Sequence, residues 1–237
     1  MASVFLKAQW RKLILVNYKI DKLILEKYMP RHVEMDEWND TCYISLVGFM
    51  FVDTKIKGFK IPLHINFEEI NLRFYVKYKE KGIYKRGVVF IKEIVPKYAI
   101  TLVANTLYKE KYQTMRTGHT WKKKGIEQEV MYEFKKEHWH KMSVVAGNEK
   151  QTILPGSEEE FITEHYWGYT KINDTKTIEY GVEHPRWEVY PVSNYKIDIN
   201  FKDVYGDDFA FLEREKPLSV MLAEGSEIVV RAGQVLL

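Results

Sequence analysis

The stretch FEEINLRFYVKY, residues 67–78, decides the fold of this chain. From Ile70 onward, apolar or aromatic side chains occupy every second position. Successive side chains of a β-strand point to opposite faces, so this period of two predicts a strand with one face in the core. Lys81 and Gly82 then predict a turn, and residues 83–95 the return strand of an antiparallel pair.

The same alternation places three polar side chains together. If Ile70 and Leu72 face the core, then Glu69, Asn71 and Arg73 share the opposite face. An acceptor, an amide and a guanidinium fork in a row are suited to bind a carboxylate or a carbonyl group. The alternative is a solvent-facing strand with cross-strand ion pairs, and the residues alone leave both open.

Most of the remaining chain is also predicted to form strands. Short helices are expected after Asp21, after Pro96 and after the capping residue Ser157. Residues 218–222 and 228–232 are predicted to form a hairpin around a turn at 224–226. No βαβ alternation or glycine-rich phosphate loop is present. The sequence thus predicts one β-rich α+β domain over residues 1–237, with two or three inserted helices.

Composition narrows the classes of function. The 237 residues carry a net charge of only +3 with both signs interspersed, and no nucleic-acid recognition motif occurs, which argues against a nucleic-acid partner. The longest apolar window, residues 46–52, is too short to span a bilayer. The single cysteine permits no intrachain disulfide. We therefore expect a cytoplasmic protein without a membrane partner, and a homo-oligomer is compatible with the sequence.

Familiar catalytic and metal motifs are weak. His138 and His140 are spaced to lie on one face of a strand, but a metal would need a third ligand from elsewhere. No G-x-S-x-G motif occurs, and Cys42 lies in an apolar segment where a small core residue is expected. The prediction is no metal and no cofactor.

Five stretches of the chain together resemble the DUF2071 (YqjF-like) family of uncharacterised proteins. The most specific is FEEINLRFYV, which is similar to the family pattern F-x-E-x-N-x-R-x-Y-V. The sequence departs from the family at His165, where arginine is usual, and at residues 184–187, where the proline is displaced by one. The matching stretches are residues 10–13, 28–36, 67–76, 163–167 and 184–187.

This resemblance implies a fold related to acetoacetate decarboxylase, a mostly antiparallel β-barrel around an internal pocket. In such decarboxylases a lysine forms a Schiff base with a keto acid. Lys111 would take the reactive position here. However, Glu110 stands in place of a proline and Tyr112 in place of the second lysine, whose charge would lower the pKa of the reactive amine. An exposed Lys111 with no catalytic role is the alternative.

The resemblance also implies a role for Glu69, because the superfamily keeps an acidic residue on the corresponding strand to orient the substrate. Asn71, Arg73, His184 and Trp187 become candidates for binding a substrate, with plain packing as the alternative for the last two. The first hypothesis is therefore a small-molecule ligand, a carboxylate or carbonyl compound, bound or transformed in an internal pocket. The second is a non-catalytic ligand-binding or structural scaffold, and whether the protein is an enzyme stays open.

The sequence makes one chemical prediction about Lys111. Borohydride reduction with a small β-keto acid should trap no covalent adduct, because an unperturbed lysine has a pKa of ~10.4 and only about one in two thousand is neutral at pH 7. Lowering the pKa of Lys111 to near neutrality requires that its surroundings favour the neutral amine by roughly 4–5 kcal/mol, and no cation adjacent in sequence provides this. Mass spectrometry is the measurement; an adduct on Lys111 that disappears in Lys111→Arg would contradict the prediction.

Overall fold

The computed structural model describes residues 2–107 and 109–236, and most of them lie in strands. The strands are β1 (Val4–Lys19), β2 (Glu34–Met35), β3 (Tyr43–Ile56), β4 (Phe67–Glu80), β5 (Ile83–Val95), β6 (Tyr112–Thr114), β7 (Arg116–Lys124), β8 (Glu127–Lys135), β9 (Trp139–Gly147), β10 (Gln151–Thr152), β11 (Trp167–Lys171), β12 (Thr177–Glu183), β13 (Glu188–Tyr190), β14 (Val192–Asp198), β15 (Ser219–Arg231) and β16 (Gln234–Leu236).

Short helices connect these strands. The α-helices are α1 (Lys22–Leu25), α2 (Tyr98–Leu107), α3 (Glu158–Thr163) and α4 (Phe201–Tyr205), and 3-10 segments cover Glu26–Tyr28 and Asp207–Glu213. The predicted caps are present: the Asp21 carboxylate accepts a hydrogen bond from the Leu23 amide at 2.9 Å, and the Ser157 hydroxyl accepts one from the Glu160 amide at 3.2 Å. No described helix has the length and apolar character that crossing a bilayer requires.

The larger sheet has the strand order β10-β13-β15-β1-β3-β4-β5-β11-β12-β16, with β2 paired to β4 and β6 to β5. Its pairs are antiparallel except β5–β11 and β5–β6. Strand β12 also pairs with β15, through Val182 with Val230 and Glu183 with Val229, so the order returns on itself. Because the return rests on this short contact, closure into a barrel stays a prediction.

The smaller sheet, β14-β9-β8-β7, packs against one face of the larger sheet. The even-numbered residues of β4, such as Leu72 and Phe74, are fully buried with Tyr132 and Phe134 of β8 in this interface. The odd-numbered residues point the other way, and Phe67 and Tyr75 among them join a second, aromatic-rich cluster. Strand β4 is therefore buried on both faces, whereas the sequence predicted a core for one.

The predicted hairpin near the carboxyl end is wrong. Residues 219–231 form one continuous strand, β15, which pairs with β1 along its length. Gly225 has a φ of +78° and lies opposite Arg11, and a Cβ atom there would come within 2.0 Å of the Trp10 carbonyl oxygen. The glycine permits a close backbone approach inside a strand, and the sequence pattern mistook it for a turn.

This difference can be tested with two glycine variants. Gly58 also has a positive φ, +87°, but a Cβ there meets no atom within 4 Å, so Gly58→Ala should cost about 1–2 kcal/mol from backbone strain alone. Gly225→Ala adds a backbone clash and should cost roughly 2 kcal/mol more. Urea unfolding measures both values; equal costs would mean that residue 225 lies in an open turn.

Candidate functional site

A cavity of about 190 Å³ opens on the face of the larger sheet that the smaller sheet leaves uncovered. Helix α2 contributes Ile100 and Val103 to its lining, and the segment before β4 contributes Ile61 and His64. An apolar cavity on the order of 150 Å³ is known to hold benzene, so this space suits a small organic molecule. Most of the lining surface is apolar, and carboxyl, guanidinium, imidazole and hydroxyl groups interrupt it.

Strand β4 supplies two of these polar groups, Glu69 and Arg73, both buried and both lining the cavity. Asn71 shares their face but is absent from the lining; its amide nitrogen donates to Glu69 Oε1 at 3.0 Å. The Tyr112 hydroxyl donates to the other oxygen, Oε2, at 3.0 Å. Asn71 therefore orients Glu69 from outside the cavity, and its position does not support a direct contact between Asn71 and a ligand.

Arg73 is 8% exposed, yet no described carboxylate forms an ion pair with it. Its guanidinium lies 5.9 Å from the ring centre of Tyr75 and hydrogen bonds to that residue. No described residue accepts a hydrogen bond from the buried Nε atom. Asn71 and Tyr112 hydrogen bond to the two Glu69 oxygens, and Tyr75 lies beside the guanidinium.

Strand β5 brings Glu93 to the cavity through an irregularity. Arg73 pairs with Phe90, whereas Leu72 pairs with Lys92, so Ile91 has no partner in β4. This inserted residue shifts the alternation of β5, and both Phe90 and Glu93 line the cavity although they are three positions apart. A strict period of two puts such residues on opposite faces, which is why the sequence pattern did not identify Glu93.

Glu110 is the third carboxyl group of the site. It lies just before β6, is 9% exposed, and its Oε1 accepts hydrogen bonds from Thr170 at 2.6 Å and Tyr180 at 2.9 Å. The ring of Tyr180 lies directly against Gly168, where a Cβ atom would approach its Cζ to 2.1 Å. Gly168 is therefore required for the position from which Tyr180 holds Glu110.

Each of the three carboxyl groups, Glu69, Glu93 and Glu110, has a pKa above its usual value. Burial raises the pKa of Glu69 to about 7, although hydrogen bonds from Asn71 and Tyr112 and the Arg73 charge oppose it. Burial also raises the pKa of Glu110 to about 7. For Glu93, burial and then the neighbouring carboxylates raise the pKa well above its usual range.

Glu93 and Glu110 also contact each other directly. Their carboxyl groups are within hydrogen-bonding reach, and no described residue donates to the buried Oε2 of Glu93. A proton held between the two carboxyl groups satisfies both of them. Near neutral pH these carboxyl groups therefore carry less negative charge than their number suggests.

Lys111 does not lie in this site. Its neighbours Glu110 and Tyr112 both line the cavity, and the extended backbone turns Lys111 to the opposite side, where it is exposed and lies over the ring of Tyr28 at 5.2 Å. Among the described residues that line the cavity, none is a lysine. The position that the family resemblance assigned to a reactive amine is thus held by carboxyl and phenol groups.

His184 and Trp187 lie in the aromatic part of the cavity wall. Their rings stack with centroids 4.3 Å apart, and Trp10 contacts Trp187 at 6.2 Å. The Trp187 indole donates to Ser226 at 2.9 Å, which fixes the ring. Burial lowers the pKa of His184, so its imidazole is neutral near pH 7. Both residues face the cavity as an apolar surface.

His165 is a cavity residue whose chemistry the sequence did not reveal. Its Nε2 lies 3.1 Å from Asp36 Oδ2, and Asp36 also accepts a hydrogen bond from Arg86 Nε at 2.6 Å. Burial, followed by the charges of Arg86 and Arg73, lowers the pKa of His165 to about 4, which outweighs the opposing effect of Asp36. The ring is therefore neutral, and Nε2 carries the hydrogen that faces the carboxylate. The departure from the family pattern at this position was the available signal.

The described residues offer no arrangement of side chains suited to a metal ion. Residues 2–107 and 109–236 contain no group of three or more His, Cys, Asp or Glu side chains arranged to hold a metal ion. His138 and His140 have ring centroids 4.5 Å apart, but the buried His140 accepts a hydrogen bond from the Asn200 amide at 3.3 Å. His140 is thus held by the backbone of residue 200, whereas His138 is exposed in the turn between β8 and β9.

Solved structures share this architecture. MppR, an enduracididine biosynthesis enzyme complexed with pyruvate, superimposes with a TM-score of 0.69 and 11% identity over 99% of this chain and 91% of MppR. Acetoacetate decarboxylase from Legionella pneumophila gives a TM-score of 0.66 and 11% identity over 98% and 87% of the two chains. Identities this low show the fold alone, and they confirm the predicted acetoacetate decarboxylase-like fold.

Sequence comparison gives the family. The uncharacterized protein YqjF of Bacillus subtilis strain 168 is 33% identical over 81 residues, which are 33% of this chain. The match spans only 34% of the length of YqjF. The family model DUF2071, described as an uncharacterized conserved protein, matches residues 7–227. This match confirms the resemblance found in the sequence motifs: the chain belongs to the DUF2071 family.

Proposed function

We propose that the protein binds a small organic acid in the cavity, with the carboxylate against Arg73 and the rest of the molecule against the aromatic wall. One observation carries the proposal: Arg73 is a buried guanidinium that lines the cavity and has no ion pair with a described carboxylate. An unpaired buried charge costs several kcal/mol, and a carboxylate ligand removes that cost. Guanidinium and carboxylate also match in geometry, because both are planar and two-pronged.

The remaining lining is consistent with such a ligand. Phe67, Phe90, His184 and Trp187 present ring faces for an apolar substituent. Glu69, Glu93 and Glu110 are near Arg73 but partly protonated, so they can donate hydrogen bonds to a carbonyl or carboxylate oxygen. The pyruvate bound by MppR, a protein of the same fold, is a small acid of this class.

The proposal is for binding, and Schiff-base decarboxylation is disfavoured because Lys111 is exposed outside the cavity. Proton transfer by the carboxyl cluster would be the chemistry available to an enzyme with this lining. The alternative, a scaffold that keeps the fold without a ligand, is the conclusion to draw if no small acid binds.

The first test replaces Arg73. Binding of a panel of small carboxylic acids, among them pyruvate, lactate and phenylacetate, is measured by ligand-observed NMR and calorimetry. For every acid that binds, Arg73→Gln should lower the affinity by roughly 10- to 100-fold, because a charge-assisted hydrogen bond contributes about 1.5–3 kcal/mol. Arg73→Lys keeps the charge but loses the fork, and should give a smaller loss.

The matched control is Arg116→Gln, which removes an exposed arginine from the smaller sheet. It should leave affinity unchanged. Equal effects of the two glutamine variants, or absence of binding by every acid in the panel, would contradict the proposal. Circular dichroism of each variant excludes unfolding as the cause.

The second test uses pH. Glu69 and Glu110, each with a pKa of about 7, gain negative charge as the pH rises from 6 to 8, while a ligand carboxylate stays ionised throughout. Like-charge repulsion should therefore weaken carboxylate binding by about tenfold across this range, equivalent to roughly 1.4 kcal/mol. Glu110→Gln should reduce the slope, and the corresponding neutral amide should show none. Affinity that is constant or rises with pH would count against the placement of the carboxylate beside this cluster.

A further inference from the structure

Besides Arg73, His165 has a ring nitrogen without a described hydrogen-bond partner, and this atom indicates a second group of the ligand. His165 lines the cavity and its side chain is 1% exposed. Its Nδ1 is buried, and no described residue donates a hydrogen bond to it. Asp36, which holds the other ring nitrogen, is absent from the lining. The two nitrogens of an imidazole point well away from each other, so Nδ1 faces away from Asp36 on a ring that lines the cavity.

The tautomer of His165 follows from Asp36. Ion pairing with Arg86 and the hydrogen bond with His165 keep the pKa of Asp36 below its usual value despite burial, so its oxygens accept and do not donate. The ring hydrogen must then lie on Nε2, and Nδ1 presents a lone pair. A buried acceptor without a donor is costly, and a ligand with a donor in that position removes the cost.

We propose that the preferred ligand is a hydroxycarboxylic acid, whose hydroxyl donates to His165 Nδ1 while its carboxylate contacts Arg73. This inference rests on the proposed function and names its ligand class. The two protein groups flank one ring: the guanidinium carbon of Arg73 is 5.9 Å, and the imidazole of His165 4.7 Å, from the ring centre of Tyr75. Both groups therefore lie beside the same aromatic ring and both line the cavity, which is the arrangement that a ligand with two polar groups needs.

The charge around His165 selects a neutral donor. Arg73 and Arg86 both lower the pKa of the imidazole, which shows that their positive charges act at this ring. The same field disfavours an ammonium group at Nδ1, so a hydroxyl fits better than an amine. An oxo group in that position would set an acceptor against the lone pair and would be rejected.

The test compares acids that differ only at this position: lactate, pyruvate and propionate, and the larger set mandelate, phenylglyoxylate and phenylacetate. Calorimetry or NMR titration should show the hydroxy acid of each set binding about tenfold or more tightly than the oxo acid. His165→Phe removes the acceptor and keeps a ring, and should bring the hydroxy-to-oxo ratio of affinities close to one. His138→Phe, the same substitution at an exposed histidine of the smaller sheet, should leave the ratio unchanged.

A second substitution removes the acceptor with a smaller apolar side chain. His165→Leu should also bring the hydroxy-to-oxo ratio close to one, and it decides the question if His165→Phe fails to fold. Asp36→Asn should leave the ratio unchanged, because Arg86 Nε and His165 Nε2 both donate to Oδ2 and the asparagine oxygen can take that position.

The outcomes separate this inference from the proposed function. If the acids bind in an Arg73-dependent way but the hydroxy-to-oxo ratio is near one and insensitive to His165→Phe and His165→Leu, the hydroxy-acid assignment is overturned and acid binding stands. Tighter binding of the matched amino acids than of the hydroxy acids would also overturn it. If no acid binds, both fail together.

Discussion

The architecture depends on one strand, β4, that is buried on both faces while carrying polar groups on one of them. Leu72 and Phe74 pack against the smaller sheet and are fully buried, which fixes the face to which every residue of the strand points. Glu69 and Arg73 are thereby placed on the other face, away from water. Packing energy on one face thus maintains costly polar groups on the other, since a shift of one residue would bury Arg73 among the side chains of β8.

The electrostatics of the cavity follow from this forced burial. Charged groups removed from water must be paired, neutralised or matched by a ligand. The three carboxyl groups are neutralised in part, through raised pKa values and hydrogen bonds from Tyr112, Thr170 and Tyr180. Arginine has no such option, because its pKa is too high to lose a proton at neutral pH. Arg73 therefore stays fully charged, and no described carboxylate forms an ion pair with it.

The sequence predicted the parts of this arrangement that follow a regular period, and it failed where a residue is inserted into a strand. Alternation placed Glu69 and Arg73 on one face of β4. It could not place Glu93, because Ile91 shifts the register of β5, and it interpreted Gly225 as a turn inside β15. Strand β1 was not predicted, and two register shifts toward β3 interrupt its alternation. Each irregularity is accommodated by the pairing with a neighbouring strand, which a period counted along one segment does not show.

The unmatched charge of Arg73 is itself maintained by a row of neutral groups across neighbouring strands. The Ser45 hydroxyl has a single hydrogen, which it gives to Asn17 at 2.6 Å, so the Tyr75 hydroxyl must donate to Ser45 at 2.7 Å. The lone pairs of Tyr75 are then free to accept from Arg73. Asn17 in turn donates to Ser219 at 2.9 Å, and Ser219 donates to the Glu158 carboxylate, where the row ends. Because uncharged groups separate that carboxylate from the guanidinium, the position of Arg73 is fixed without an ion pair, and its charge is available to the cavity.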